Sequence, residues 1–173
     1  MKPAAPQAQP PLDTLMRQAY TMEVEAGQRY TDLADAMETH NNLEVAALFR
    51  KMAEVESRHA SQILAQMGWP APPPPVAIAW EGFEAPETIA VDDVHYLMRP
   101  WHALALALAG EQRAERFFAA IAEAATDDAV RAAALELRDE EREHVALIAR
   151  WMDKVPKPET DWAEDPDPPR YTD

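Results

Sequence analysis

The chain of 173 residues contains no cysteine. Disulfide cross-links, thiolate zinc sites, iron–sulfur clusters and cysteine nucleophiles are therefore excluded, and any bound metal must take its ligands from His, Asp or Glu. Glycine is scarce, with 4 residues against 16 prolines. Tight hairpins, phosphate-cradling loops and dinucleotide fingerprints need glycines close together, and neither nucleotide motif is present. Positive charge is short as well: 16 Lys and Arg stand against 31 Asp and Glu, a formal net charge of −15. That balance argues against nucleic acid and against an anionic membrane as partners. Long apolar runs are missing too. The longest, Ala103–Gly110, is far short of the roughly 20 residues a membrane span requires, and Met1–Pro11 lacks the apolar core of a secretory signal. A soluble cytoplasmic protein with one domain-sized core is the expectation.

What the sequence does hold is helical periodicity. Apolar residues recur at three- and four-residue steps over four long stretches, and no stretch alternates with period two for long enough to build a sheet. The first helix is expected to open after Pro10-Pro11 with Asp13 as N-cap and to run to about Thr39, on a stripe of Leu15, Ala19, Glu23, Ala26, Tyr30, Leu33 and Met37. Asn41-Asn42 caps the second, which ends at Gly68 with the stripe Val45, Leu48, Phe49, Met52, Glu56, His59, Ile63 and Met67. The short link makes these two an antiparallel hairpin.

Trp69–Pro86 then carries six prolines, which reads as an extended crossover along the length of a bundle. A short turn around Asp92–Met98 leads to Pro100, suited to the first position of a third helix with the stripe Leu104, Leu108, Glu111, Ala114 or Glu115, Phe118 and Ala122. Thr126-Asp127-Asp128 ends it and starts a fourth, with Val130, Ala134, Leu137, Glu141, His144, Ile148 and Trp151, stopped by Pro156. The fold expected is all-α: an antiparallel four-helix bundle over 12–155, preceded by a disordered segment (1–11) and followed by an acidic, proline-rich tail (156–173) that is disordered or docks on a neighbour.

Each helix has a glutamate in the middle of its apolar stripe, where the periodicity calls for Leu or Ala. A carboxylate moved alone into a core is costly, so four at one level of a bundle require a counter-charge. No Lys or Arg occupies those stripes. A metal cation is the remaining compensator, and two divalent ions would balance four carboxylates. The second and fourth helices each add a histidine three residues on, in Glu56-Ser57-Arg58-His59 and Glu141-Arg142-Glu143-His144. Positions i and i+3 share a helix face, so carboxylate and imidazole can reach one ion. Chance alone supplies roughly half an instance of Glu-x-x-His in a chain of this composition; two copies, each on a stripe and each paired with an upstream core glutamate, are specific. The halves also repeat. Glu23 precedes Tyr30 by seven residues and Glu111 precedes Phe118 by seven, with offsets between the halves of 88 residues for the first helix and 85 for the second.

These residues resemble the ferritin-like di-iron carboxylate proteins, and among them the rubrerythrin branch, over about Leu15–Met152. In that family two helices each give a Glu and the other two a Glu-x-x-His, all pointing into the bundle. The resemblance implies Glu23 and Glu111 as terminal ligands, Glu56 and Glu141 as bridging ligands, and His59 and His144 as one imidazole per iron. Gln28-Arg29-Tyr30 is similar to the rubrerythrin first helix, whose tyrosine sits beside the cluster. Two departures stand out: the family's common second glutamate on the third helix falls at Ala114, with Glu115 the nearest carboxylate, and the four-cysteine rubredoxin domain has no counterpart, so electrons would come from an external donor protein.

Neighbouring carboxylates compete for these roles. Glu23 is preferred to Glu25, which lies about 200° around the helix, and Glu111 is preferred to Glu115 by the repeat. Glu54 and Glu140 are placed on solvated faces. Tyr30 either hydrogen-bonds a ligand carboxylate, passes an electron, or is a core residue with a satisfied hydroxyl. His40, His95 and His102 lack a correctly spaced Glu and read as surface or capping residues. The resemblance implies two iron ions, with manganese or zinc as alternatives, and redox chemistry with peroxide or dioxygen as peroxidase or oxidase. A homo-oligomer, a dimer or larger, is expected; iron oxidation and storage in a cage-sized assembly is the alternative, and a non-enzymatic helical protein docking a partner through its acidic tail is a third reading.

Overall fold

The computed structural model describes residues 11–78 and 99–158. The segment before Pro11, the turn expected at 92–98 with His95, and the tail beyond 158 lie outside the described residues, as does the second part of the proline-rich crossover, 79–86.

Four helices make up the described chain: α1 (Leu12–Thr39), α2 (Leu43–Met67), α3 (Pro100–Ala124) and α4 (Asp128–Met152). Three of the expected boundaries are built by the expected residues. Gly68 ends α2 in the left-handed conformation with φ 64°, a region that costs glycine little. Pro100 occupies the first turn of α3. The Asp127 side chain accepts hydrogen bonds from the N–H groups of Ala129 and Val130 at 2.8 and 3.1 Å, capping α4. The start of α1 differs from expectation. Its N-cap is Pro11, and Asp13 instead lies in the first turn and pairs with Arg17 at 2.7 Å, one turn on. Asn42 holds the N-cap position of α2 without a side-chain cap bond, while Asn41 absorbs the reversal between α1 and α2 at φ 59°. His102, read as surface or capping, is a cap: it is buried, and its Nδ1 accepts the Arg99 N–H at 3.1 Å.

The core divides into two apolar clusters. One joins Tyr30–Met37 of α1, Val45–Met52 of α2, Ala103–Ala107 of α3 and Ile148 of α4. The other joins Leu15–Met22, Ile63, Phe117–Ala122 and Val130–Leu137. This sharing fixes the directions: α1 and α4 run one way, α2 and α3 the other, so α2 ends and α3 begins at opposite ends of the bundle, about 37 Å apart at 1.5 Å per residue. The beginning of the crossover is anchored on α1. Trp69 meets Tyr20 edge-on and lies under the Arg17 guanidinium, and the Val76 N–H donates to the buried Thr21 hydroxyl at 3.2 Å. Between the two clusters every helix contributes a glutamate.

Candidate metal centre

Glu23 lies between Ala19 and Tyr30 on α1, Glu56 between Met52 and Ile63 on α2, Glu111 between Ala107 and Phe117 on α3, and Glu141 between Leu137 and Ile148 on α4. Each helix therefore crosses from one apolar cluster to the other through its carboxylate. All four are buried, with Glu56 only 1% exposed. Glu25 and Glu54 are exposed, as the helix phase requires. Glu115 is engaged elsewhere, accepting a hydrogen bond from Arg142 Nε at 2.8 Å, which leaves Glu111 as the inward carboxylate of α3.

The imidazoles of His59 and His144 stack face to face, 5.1 Å between ring centres and 4° from parallel. Around His144 Nδ1 stand Glu56 Oε1 at 3.2 Å, Glu111 Oε2 at 3.4 Å and Glu141 Oε2 at 3.6 Å. Around His59 Nδ1 stand Glu23 Oε2 at 3.8 Å and Glu140 Oε2 at 3.9 Å. Three donor sets have their atoms within 4.8 Å of one another: Glu56, His59 and His144; Glu23, His59 and Glu140; Glu111, Glu141 and His144. The structure thus brings together all six residues singled out by the stripes. It adds Glu140, which the helix phase alone assigned to a solvated face. Its partner His59 lies on another helix, so no spacing within α4 marks it.

Tyr30 closes the set from the α1 side. Its hydroxyl donates to Glu111 Oε1, and its ring stacks on Phe49 at 5.8 Å. Beside it, between α1 and α3, a cavity of about 60 Å³ reaches the carboxylates, lined by small and apolar residues such as Ala26, Ala107, Gly110 and Ala114, with Arg29 and Arg113 also contributing.

Burial dominates the electrostatics. It pushes the Glu56 and Glu141 carboxyls well above the usual carboxylate range, and the surrounding carboxylates add to this for Glu56. Burial also raises the Tyr30 hydroxyl, reinforced by the Glu111 charge. For Glu111 burial acts upward too, but His144, Glu141 and the Tyr30 hydroxyl outweigh it and hold the carboxyl below its ordinary value. His144 shows the balance from the other side: burial alone would lower it, yet Glu111 and Glu141 carry it up to about 10.

The donor set fits divalent cations. Glu56 Oε1, His59 Nδ1 and His144 Nδ1 are buried and have no hydrogen-bond partner, and an unpaired buried polar atom carries its full desolvation cost. Among the described residues no Lys or Arg is buried. Carboxylate oxygens and imidazole nitrogens without a thiolate suit iron, manganese or zinc.

The rubrerythrin family model matches residues 14–74, the span of α1 and α2 that holds Glu23, Tyr30, Glu56 and His59. A solved structure of an uncharacterized conserved protein from Magnetospirillum magnetotacticum is 32% identical, with a TM-score of 0.72, and the alignment covers 87% of this chain and 99% of that one. No curated protein matches the chain. Four helices meeting at a Glu and Glu-x-x-His layer, together with these two likenesses, place the chain in the rubrerythrin-like branch of the ferritin-like family.

Proposed function

We propose that the chain is a di-iron protein that reduces hydrogen peroxide to water with electrons from a separate donor protein. The observation that carries this is the buried layer of four carboxylates with three orphaned donor atoms, two of them imidazole nitrogens. Glu23 and His59 would hold one cation and Glu111, Glu141 and His144 the other, with Glu56 between them. Bound iron supplies reversible one-electron steps at two adjacent ions. Each peroxide takes two electrons and two protons and leaves as two waters. The protein's own part is to position and to select. Tyr30 fixes the orientation of the Glu111 carboxylate through its hydroxyl, and the small side chains between α1 and α3 leave a passage suited to a small uncharged oxidant. These 173 residues hold no cysteine, and the proposal therefore names a separate donor protein as the source of electrons.

The test is iron content per chain combined with peroxide consumption in the presence of a reductant. Two irons per chain and reductant-dependent loss of peroxide are expected. His59→Ala and His144→Ala are each expected to lower iron affinity by about ten-fold or more. Protein prepared with Fe(II) that retains no metal, or that binds it unchanged in both variants, would overturn the reading. A cage-sized assembly that mineralises iron would replace peroxide reduction by iron storage at the same centre.

A further inference from the structure

Glu140 and Glu141 are consecutive on α4, so their side chains leave the helix about 100° apart. Glu141 enters the middle of the bundle, whereas Glu140 reaches the seam between α4 and α2. There its Oε2 faces His59 Nδ1 at 3.9 Å, with Glu23 Oε2 facing the same nitrogen at 3.8 Å. Two donors bonded to one cation at about 2.1 Å are separated by about 3.0 Å at a right angle and 4.2 Å when opposite. The observed spacings fall between these limits. The nitrogen in question is buried and has no hydrogen-bond partner, and Glu23 is 3% exposed, so this trio is more than a group of surface acids. The basic side chains nearest in sequence turn elsewhere: Arg138 pairs with Asp139, and Arg142 with Glu115 and Asp139.

The two halves of the centre differ in the exposure of their ligands. Glu111, Glu141 and His144 are all buried. Glu140 keeps 32% of its side chain exposed, and with His59 it lines a cleft of about 200 Å³ that also has Glu136 and Gln62 on its walls. Glu136 stands one helical turn before Glu140, so the cleft presents two carboxylates in line with the imidazole.

We infer that Glu140 is a fifth carboxylate of the metal centre, which with Glu23 and His59 binds the divalent cation on the α2/α4 side and is the ligand a cation meets first on arriving through that cleft. The inference rests on the two-metal reading above. It makes the centre asymmetric, with a partly exposed carboxylate on the His59 side and only buried ligands on the His144 side.

The experiment is a Co(II) titration of the metal-free full chain, followed by calorimetry, by visible d–d absorption and by stopped-flow uptake. Glu140→Gln is compared with wild type and with Glu143→Gln, which removes the same charge from an exposed position of α4. Glu140→Gln should weaken one of the two Co(II) steps by about ten-fold or more, slow uptake comparably and alter the visible spectrum, while Glu143→Gln stays within about two-fold of wild type. Glu140→Asp keeps a carboxylate and should fall between. A Glu140→Gln variant that matches wild type overturns the inference, as does an equal effect of Glu143→Gln. A wild-type chain that takes up no Co(II) overturns the two-metal reading, and the inference falls with it.

Discussion

Glu56 shows most sharply what a functional residue costs. At 1% exposure, with an unpartnered Oε1 and three other carboxylates around it, it is held well above the usual carboxylate range by burial. In the metal-free protein its charged form is costly, and only a proton or a cation relieves that cost. Glu56→Gln, which keeps the shape and removes the charge, should therefore stabilise the metal-free protein by about 1 kcal/mol or more and weaken iron binding by about ten-fold or more. Glu54→Gln, on the exposed side of the same turn, should change neither. Denaturation of chelated samples and iron titration decide this, and equal effects of the two variants would contradict the helix phase. Tyr30 acts in the opposite sense. Its hydroxyl is the donor to Glu111, so Tyr30→Phe strips a buried carboxylate of a neutral partner and should cost about 1.5–3 kcal/mol in the metal-free state. A loss below about 0.5 kcal/mol in a denaturant titration would mean that the bond contributes nothing to holding Glu111.

At the scale of the element, the stripes made both the fold and most of the centre legible. Each helix had to explain one glutamate among Leu, Ala and Phe, and the four interruptions fall at one level because each sits where its helix passes between two apolar clusters. Helix periodicity reports which side of a helix faces its bundle, and that was enough for Glu23, Glu56, Glu111, Glu141 and both histidines. It does not report which residues meet across the seam of two helices from different halves. Glu140 escaped for that reason: its relation to His59 depends on how α2 and α4 lie against each other. The start of α1 departs from the expected cap for a local reason. Pro11 takes the N-cap, and Asp13 is one turn from Arg17, so its carboxylate is drawn to the guanidinium and not to the helix end. Some stripe members, Ala26, Leu108 and Trp151 among them, are only half-buried. The helix contacts also set a tolerance. Gly27 lies mid-helix where α1 faces α2, yet a Cβ there would meet Glu56 Cβ at 3.6 Å and the Ala53 carbonyl oxygen at 3.7 Å, ordinary contact distances. Gly27→Ala should raise stability by about 0.5–1 kcal/mol through backbone entropy while leaving iron stoichiometry unchanged. A destabilised variant would show that α1 and α2 cannot admit a methyl group at that level.

Over the whole molecule, the net charge of −15 separates into an outer part that water screens and an inner part that only protons or cations can balance. The inner part is the layer of four buried glutamates between the two apolar clusters, and among the described residues no helix is long and apolar enough to cross a membrane. Without metal the interior balances itself with protons. His144 is raised from 6.5 to about 10, so the stability it contributes is complete below pH 6.5 and is lost as the pH climbs toward 10. Glu56 and Glu141 are also raised, and their contribution likewise fades as pH rises above 4.5. Glu111, lowered by its partners, contributes above pH 4.5 and is lost only in acid. Between pH 6.5 and 10 the sum therefore has one sign, and the melting temperature of the metal-free protein should fall as pH rises. A cation at Glu111, Glu141 and His144 must displace the His144 proton, so affinity should rise over the same interval. The gain in melting temperature on adding a fixed excess of Co(II) should grow with pH for the same reason. Two thermal series from pH 6.5 to 9, one with chelator and one with Co(II), test this. A metal-free curve that rises with pH, or a Co(II) gain that shrinks with it, would mean that the interior is not balanced by exchanging protons for metal.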